Sequence, residues 1–372
     1  MPHDRARDGD RDGEAGADHD HDPDALVFAL PPDSDRVSGG NIYNERLIGA
    51  LRALIPVQTI GMDACRARIV RGAAGRYVID SLCLREFLDL PARQPGQAFI
   101  LIAHHLPSLE PDHDPRGQAA QAEPAALARF DTLVATSPFT AGYLVGRGHA
   151  ARRILTVPPA PPALTAGTAA PVPRTYEPPL RALVVANLIP RKGVLPLLAA
   201  LDDRLSADDD LVIDVIGRVD LDGDYARRCA ARAERSRRLA PIVHLHGVVP
   251  PAEMPRHYQG ANVFVSAARM ETFGMALQEA RAHGLPIVAL DGGYVRHHFT
   301  DGDDGLLFSS CDDLAAGLVS LVRDPARARA LFARAQLRRW QRGGQPTDQP
   351  TEDAGWAGAA RRFLDQLAAL AA

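Results

Sequence analysis

Two glutamates separated by seven residues make the segment 266–293 the part of this sequence that most clearly predicts a functional site. It reads SAARMETFGMALQEARAHGLPIVALDGG, and its glutamates are Glu271 and Glu279. A short apolar strand is predicted at 262–266, and a helix is predicted to begin near Phe273, after the loop that carries Glu271. Because the first amides of a helix lack partners within it, such a helix start binds anions such as phosphates.

The predicted anion site combines backbone donors with carboxylates. Gly274 has no Cβ, so a diphosphate can approach the backbone closely. Glu279, about two turns into the predicted helix, is placed to accept hydrogen bonds from ribose hydroxyls. The alternative is that both glutamates are solvated helix-end carboxylates, which the helix dipole makes common. The predicted backbone donors are the amides of Phe273, Gly274, Met275 and Ala276.

Other clusters of polar residues favour structural roles. The run Asp220, Asp222 and Asp224 has the spacing of a metal-binding DxD, but it follows a strand and precedes a helix, where acidic residues cap helix starts. His297 and His298 follow Gly292 and Gly293 and are placed to line the predicted phosphate pocket, yet no third ligand at a suitable spacing makes them a metal site. The chain has no GxGxxG, GxSxG or GxxxxGK[ST] pattern, which argues against dinucleotide, hydrolase and P-loop sites.

The elements that must position these residues alternate between strand-length apolar runs and amphipathic stretches. The strand candidates are ALVFAL, RYVID, AFILIA, TLVATS and RILTV in the first half, and RALVVAN, DLVIDVIG, IVHLHG, NVFVSA, PIVALD and GLLF in the second. This alternation predicts two parallel sheets, the second with about six strands. The helix predicted at 41–55 carries an apolar stripe that we expect to pack on a sheet. The stripe consists of Leu47, Ile48, Leu51, Leu54 and Ile55.

A proline-rich stretch divides the chain. Eight prolines among residues 158–179 exclude a strand or helix interior there. We expect two Rossmann-like αβα domains of the α/β class that face each other across a cleft. The acidic start of the chain is predicted to be disordered, and its HDHD run at 19–22 is interpreted as solvated. The predicted boundaries are a tail at 1–24, an N-terminal domain at 25–165, a linker at 166–179, a C-terminal domain at 180–340 and a helical segment at 341–372.

Composition excludes several classes of function. The 372 residues include 42 basic and 46 acidic side chains, and the net charge of −4 gives no reason to expect nucleic acid as a partner. The four cysteines are scattered without a CxxC pair, which fits a reducing compartment. No apolar run is typical of a signal peptide or a membrane-spanning helix. We therefore expect a cytoplasmic protein.

The stretch ETFGMALQE resembles the E(x7)E signature of the retaining glycosyltransferases of family 4. The flanking residues agree with that family, and they are Ser266, Gly284, Pro286, Gly292 and Gly293. The resemblance covers most of residues 25–325 and implies the GT-B fold, with an N-terminal acceptor domain and a C-terminal nucleotide-sugar-binding domain. It also implies that Glu271 contacts donor-sugar hydroxyls, Glu279 contacts the ribose and the amides at 274–276 hold the diphosphate.

The stretch NLIPRKG, Asn187 to Gly193, resembles the first strand-to-helix turn of the C-terminal domain in this family. The family pattern RLxPxKG puts cations on the donor diphosphate, and Lys192 falls on its lysine. Lys192 is the only lysine among the 42 basic residues, and a compact ammonium suits a pair of phosphates. Asn187 stands where the family has arginine, so Arg191 is the candidate for the second cation.

Two features of the N-terminal half also resemble the family. In VSGGNIYNERL, Gly39 and Gly40 occupy the place of the family's glycine-rich loop. The strand AFILIA ends at His104 and His105, where the family carries a histidine near the transferred sugar, and we choose His105 for that role. The alternatives are a plain turn for the glycines and a histidine that is merely packed at a strand end.

The resemblance implies transfer of a sugar, with retention, from a UDP- or GDP-sugar to a small-molecule or glycan acceptor. Neither a metal ion nor a further cofactor is expected. The helix at 41–55 has only Arg46 and Arg52 against Glu45, so it lacks a polybasic face and a soluble acceptor is favoured over a lipid. A non-catalytic protein that holds a nucleotide sugar and a sugar-nucleotide epimerase stay open as alternatives, and the oligomeric state is not predicted.

Overall fold

The first half of the chain folds around a six-stranded parallel sheet. The computed structural model describes residues 25–32, 34, 37–112, 114, 116–162, 174–343 and 355–371. The strands of the first sheet are β1 (Leu26–Leu30), β2 (Val57–Gly61), β3 (Gly75–Asp80), β4 (Gln97–Ala103), β5 (Thr132–Ala135) and β6 (Ile154–Thr156), in the order β2-β1-β3-β4-β5-β6. The helices of this half are α1 (Gly39–Arg52), α2 (Met62–Val70), α3 (Leu84–Leu88), α4 (Gln118–Ala128) and α5 (Pro138–Gly146).

The second half contains another six-stranded parallel sheet, as the sequence predicts. Its strands are β7 (Leu180–Val185), β8 (Leu211–Ile216), β9 (Val243–Gly247), β10 (Val263–Ser266), β11 (Ile287–Leu290) and β12 (Gly305–Phe308), in the order β12-β11-β10-β7-β8-β9. The helices are α6 (Val194–Arg204), α7 (Gly223–Arg235), α8 (Met254–Gly260), α9 (Met275–Ala282), α10 (Cys311–Arg323), α11 (Pro325–Gly343) and α12 (Gly355–Ala371). The two sheets confirm the predicted pair of α/β domains.

Burial on both faces of the first sheet explains its continuous apolar strands. Along β1, Val27 and Ala29 join one core cluster, whereas Leu26 and Phe28 join the other, because successive side chains of a strand point to opposite faces. The edge strand β2, VQTIG, is only half-buried. It carries Gln58 and Thr59 instead of an unbroken apolar run, so its sequence does not have the pattern of a buried strand.

The prediction of an apolar stripe along α1 is wrong at its C-terminal end. Ser38 caps α1 by accepting a hydrogen bond from the Asn41 amide, and the helix ends at Arg52. Leu47, Ile48 and Leu51 are buried as expected, but Leu54 is 42% exposed because it lies after the end of the helix. The continuation of the stripe to residue 55 therefore overestimates the length of the helix.

The last helix returns to the first domain. Residues of α12 pack on α1, where the Trp356 ring lies 5.4 Å from that of Tyr43. The side chain of Gln366 accepts a hydrogen bond from the Thr156 amide of β6 at 3.0 Å. The predicted helical segment at 341–372 thus divides, because α11 extends from the second domain to residue 343 and α12 docks on the first. The predicted tail at 1–24 and residues 166–173 of the linker lie outside the described residues.

The two domains meet along the loops that follow their strands. The Ser137 hydroxyl, at the start of α5, donates a hydrogen bond to the Thr272 carbonyl, which precedes α9. Arg269, beyond β10, donates to a carboxylate oxygen of Asp112 at 2.6 Å. These contacts bring the carboxyl ends of β4, β5 and β10 to one cleft, which is where open α/β sheets place their ligands.

Candidate functional site

A left-handed glycine brings Lys192 to the cleft. A 3₁₀ turn, Pro190–Lys192, follows β7, and Gly193 has φ of +68° before α6 begins. A Cβ at this position would lie 2.0 Å from the Ala267 carbonyl oxygen, so only glycine lets the turn approach the loop after β10. The close approach holds Lys192 beside the loop that carries Glu271.

Lys192 and Glu271 form an ion pair at the cleft. The ammonium donates a hydrogen bond to Oε1 of Glu271, and both side chains are less than one-fifth exposed. Burial favours the neutral acid, but the positive charges of Lys192 and Arg191 outweigh it and lower the pKa of Glu271 below its ordinary value. The backbone of Glu271 is fixed as well, because its carbonyl accepts from the Tyr294 amide at 2.8 Å.

The helix behind this pair starts two residues later than predicted. Gly274 has φ of +90° and forms the cap of α9, whose first residue is Met275. The amides of Met275 and Ala276 therefore belong to the first turn, where amides lack helical partners, whereas Phe273 is buried ahead of the helix. Glu279 consequently lies about one turn from the helix start, not two.

His298 holds the loop before α9 in place. Its Nε2–H donates a hydrogen bond to the Phe273 carbonyl at 2.6 Å. Burial lowers the pKa of His298 to about 4, against a weaker opposing effect of that hydrogen bond. The Phe273 ring stacks on Tyr294, with ring centroids 5.6 Å apart. His298 therefore holds the backbone of Phe273, next to the predicted anion site. The residues around His298 in the sequence do not predict this contact.

Glu279 has a partner that sequence reasoning missed. The Tyr258 hydroxyl, on α8, donates a hydrogen bond to Oε2 of Glu279 at 2.7 Å. Burial raises the pKa of Glu279, and the hydrogen bond from Tyr258 acts in the opposite direction. Because Tyr258 precedes Glu279 by 21 residues on another helix, no local pattern could reveal the contact.

The remaining residues of the NLIPRKG turn have other partners. The Asn187 side chain accepts from the Arg218 amide at 3.1 Å, which places it beside the loop after β8. Arg191 donates to the Met270 carbonyl at 3.2 Å, and its Nε lies 3.2 Å from a carboxylate oxygen of Glu110 in the first domain. The structure thus brings Arg191 and Lys192 together at the cleft, with Asn187 turned to a neighbouring loop.

The two adjacent histidines of the first domain have different environments. Nε2 of His105 lies 2.8 Å from Oε1 of Glu110. Nε2 of His104 instead lies 2.8 Å from the side-chain oxygen of Asn44, whose amide donates to the buried Asp80 at 2.6 Å. Burial lowers the pKa of His104, although the Asp80 carboxylate opposes that change. His104 therefore belongs to a buried network, and His105 reaches the domain interface through Glu110.

The two glycines predicted as a loop are the first residues of α1. A Cβ on Gly39 would lie 3.9 Å from the Met275 sulfur, and one on Gly40 would lie 3.3 Å from the His104 ring. The starts of α1 and α9 therefore face each other across the cleft. The glycines face it as predicted, but they belong to a helix and not to a loop.

The acidic run after β8 has the structural role that its position between a strand and a helix predicts. Asp222 caps α7 by accepting from the Tyr225 amide at 2.9 Å, and Asp220 pairs with Arg218 at 2.6 Å. Among the residues the structure describes, no three His, Cys, Asp or Glu side chains are grouped so that they could hold a metal ion. None of the described helices is long and apolar enough to cross a bilayer.

The C-terminal half matches a known family of sequences. The family model for "Glycosyl transferases group 1" matches residues 169–338, just under half of the chain. A phosphatidyl-myo-inositol mannosyltransferase of Mycolicibacterium smegmatis is 32% identical over 152 residues, 40% of this chain and 37% of its own. An alpha-monoglucosyldiacylglycerol synthase of Streptococcus pneumoniae is 27% identical over 144 residues, 38% of this chain and 32% of its own. The chain thus spans about a third of the length of these relatives.

Solved structures match over nearly the whole chain. A sucrose-phosphate synthase from Thermosynechococcus elongatus has a TM-score of 0.67 at 18% identity and covers 93% of this chain and 99% of its own. Anabaena HepE, solved in complex with UDP and glucose, has a TM-score of 0.66 at 15% identity with the same coverage. At such identities the likeness concerns the fold alone, and it shows that the chain has the GT-B fold that the sequence predicts.

Proposed function

We propose that this chain, whose residues 169–338 match the family model for glycosyl transferases group 1, transfers a sugar from a nucleotide diphosphate sugar to an acceptor hydroxyl. The donor is a UDP- or GDP-sugar, the anomeric configuration is retained and no metal ion takes part. The observation that carries the proposal is the Lys192–Glu271 pair beside the first amides of α9. A cation, free amides and an ionised carboxylate are what a sugar diphosphate needs at one place.

The geometry suggests how the donor binds. Its diphosphate accepts hydrogen bonds from the amides of Met275 and Ala276 and pairs with Lys192, supported by Arg191. Glu271, released from Lys192, then accepts hydrogen bonds from donor-sugar hydroxyls. Glu279, held by Tyr258, accepts from the ribose. The negative charge that develops on the leaving diphosphate is stabilised by groups already in place, which is electrostatic preorganisation.

The proposed transfer proceeds on one face of the sugar. The bond between the anomeric carbon and the phosphate oxygen breaks, and the acceptor oxygen forms a new bond to that carbon from the same side. The acceptor proton passes to the departing phosphate oxygen, so a protein nucleophile is not needed. His105 lies on the sugar or acceptor side of the cleft in this proposal.

The acceptor is proposed to be a soluble molecule. The names of the relatives refer to different compounds. One group is named for D-inositol 3-phosphate, and other relatives are named for diacylglycerol and phosphatidyl-myo-inositol. We keep the soluble acceptor that the sequence favours. Co-sedimentation with anionic vesicles at low salt is expected to leave the protein in the supernatant, and binding to the vesicles would shift the proposal to a lipid acceptor.

Asn187 is the one observation that favours a second candidate. The family's arginine is absent at this position, and the side chain contacts the Arg218 amide instead of offering a cation. A protein of the same fold that holds a nucleotide sugar without transferring it is therefore the alternative. Release of UDP or GDP from a bound donor in the presence of an acceptor distinguishes the two, whereas interconversion of the free donor alone would indicate an epimerase.

The first test is a thermal-shift panel of UDP, GDP, ADP and their common sugars, each with and without EDTA. One nucleotide is expected to raise the melting temperature of the wild type by mass action, equally well with EDTA. Lys192→Ala is expected to lose this increase because the diphosphate loses its ammonium partner.

Cytoplasmic location and the domain boundaries given by the sequence stay predictions.

Arg204→Ala is the matched control, because Arg204 ends the helix that follows Lys192 and so lies at the opposite end of α6. It is expected to keep the full ligand-induced increase. The melting temperature without ligand shows whether Lys192→Ala is folded, since that change leaves the Glu271 carboxylate without its ammonium. The proposed donor site is contradicted if the two variants respond equally to the nucleotide, or if no nucleotide shifts the wild type.

A further inference from the structure

Glu110 touches a predicted catalytic residue of one domain and a predicted donor-binding residue of the other. Its Oε1 lies 2.8 Å from Nε2 of His105, five residues earlier in the first domain. The same oxygen lies 3.2 Å from Nε of Arg191 in the second domain. Nothing in the sequence motifs singled out Glu110, because its role depends on a residue 81 positions further along the chain.

The chemistry of this carboxylate determines which nitrogen of His105 carries a proton. The hydrogen bond from His105, assisted by the positive charge of Arg191, lowers the pKa of Glu110 below its ordinary value despite partial burial. An ionised carboxylate can only accept hydrogen bonds, so Nε2 of His105 must be the donor. In the neutral imidazole, Nδ1 is then the nitrogen that can accept a proton or a hydrogen bond.

The contact with Arg191 makes this arrangement depend on the position of the two domains. Arg191 immediately precedes Lys192, so the carboxylate that orients His105 also pairs with the turn that is proposed to hold the donor diphosphate. A second ion pair crosses the interface nearby, between Asp112 of the same loop and Arg269. Of the two acidic residues in these ion pairs, Glu110 is the one that the structure places against His105.

We propose that Glu110 is a positioning residue that fixes the tautomer and orientation of His105, so that Nδ1 accepts a hydrogen bond from a hydroxyl of the bound sugar or acceptor. This inference rests on the proposed function. It goes beyond that function because it assigns Nδ1 as the acceptor nitrogen and ties its alignment to the pairing of Glu110 with Arg191 across the cleft.

The test compares Glu110→Ala, Glu110→Gln and Asp112→Asn in steady-state transfer assays. Glu110→Ala is expected to lower kcat by about 10- to 100-fold with little change in the donor KM, because a misplaced group impairs the reaction more than donor binding. Glu110→Gln keeps an oxygen that accepts from Nε2–H and is expected to recover part of kcat. Asp112→Asn removes a cross-domain ion pair without touching His105 and is expected to keep kcat.

A double variant separates positioning from general structural support. In a His105→Ala background, Glu110→Ala is expected to lower kcat no further, since the group that it positions is already absent. An equal loss of kcat in both backgrounds would overturn the proposal. It would be overturned as well if Asp112→Asn reproduced the loss caused by Glu110→Ala, because domain contact alone would then explain it.

A spectroscopic readout makes the inference independent of turnover. In ¹⁵N-histidine-labelled protein, the His105 signals are identified by their absence from His105→Ala. The wild type is expected to show the tautomer with hydrogen on Nε2, and Glu110→Ala to show a mixture of both tautomers. If the wild type transfers no sugar, the proposed function fails, yet this spectrum still tests the pairing. A mixed tautomer in the wild type would refute the role of Glu110.

Discussion

The two sides of the cleft hold their polar groups by different means. On the C-terminal side, backbone geometry is decisive: Gly193 and Gly274 adopt left-handed conformations, and the site offers amides of α9 together with one ammonium. On the N-terminal side, side chains hold other side chains. His104 depends on Asn44, which precedes it by 60 residues, and His105 depends on Glu110.

This difference offers a physical reason why the family match lies in the second half of the chain. A loop that must bend through a left-handed residue and approach another backbone to within contact distance accepts few residue types. A contact between side chains can be made by several combinations of residues at several positions. The family model accordingly matches residues 169–338, whereas the first domain agrees with known proteins through its fold.

The largest difference in stability is expected between variants that replace a glycine by alanine on the C-terminal side and on the N-terminal side of the cleft. Gly193→Ala should lower the free energy of unfolding by about 4 kcal/mol, because its Cβ would meet a carbonyl oxygen from a left-handed residue. Gly40→Ala, in the first turn of α1, should change it by less than about 1 kcal/mol, since alanine suits helices. Urea denaturation measures both, and similar values for the two variants would contradict the contrast.

A smaller effect is expected from the pH dependence of the C-terminal side. The pKa of His298 is about 4 in the folded protein and 6.5 ordinarily. Above pH 6.5 the residue is neutral in both states, so its stabilising contribution is complete. As the pH falls towards 4, the unfolded state takes up the proton first, and about 3 kcal/mol of stability is lost.

His298→Gln tests this prediction, because glutamine can still donate to the Phe273 carbonyl but does not titrate. Its free energy of unfolding should depend less on pH than that of the wild type over the same interval. His297→Gln is the matched control, since the neighbouring His297 is exposed. An unchanged pH dependence in His298→Gln would show that this residue is not the titrating group.

The smallest effect concerns a side-chain contact on the C-terminal side. Tyr258→Phe should weaken nucleotide-sugar binding by about 1 kcal/mol, or roughly fivefold, because Glu279 loses the hydroxyl that stabilises its charged form. The loss should grow on acidification, since the pKa of Glu279 is already raised by burial and rises further without that hydroxyl. Calorimetric titration with the nucleotide sugar measures it.

Tyr77→Phe provides the corresponding change on the N-terminal side, where the hydroxyl donates to the Ala73 carbonyl. It should leave nucleotide-sugar affinity unaltered. Equal losses in Tyr77→Phe and Tyr258→Phe would mean that Tyr258 acts through general stability and not through Glu279.

The limits of sequence reasoning follow the same division. Alternating apolar runs predicted both sheets, because strands buried on both faces must be apolar along their length. The rule does not apply to the edge strand β2, because its residues are only partly buried and include polar side chains. The start of α9 was placed two residues early, because the left-handed conformation of Gly274 ends the preceding loop and no local pattern specifies that angle.

The sequence by itself determined the two α/β domains and the turn that carries Lys192, because hydrophobic periodicity and backbone requirements act over a few neighbouring residues. It also singled out Glu271 and Glu279. Only the tertiary structure decided their partners, together with the separate environments of His104 and His105 and the return of α12 to the first domain. Those contacts join residues that are distant in the chain, so they depend on strand order and on how the two domains meet.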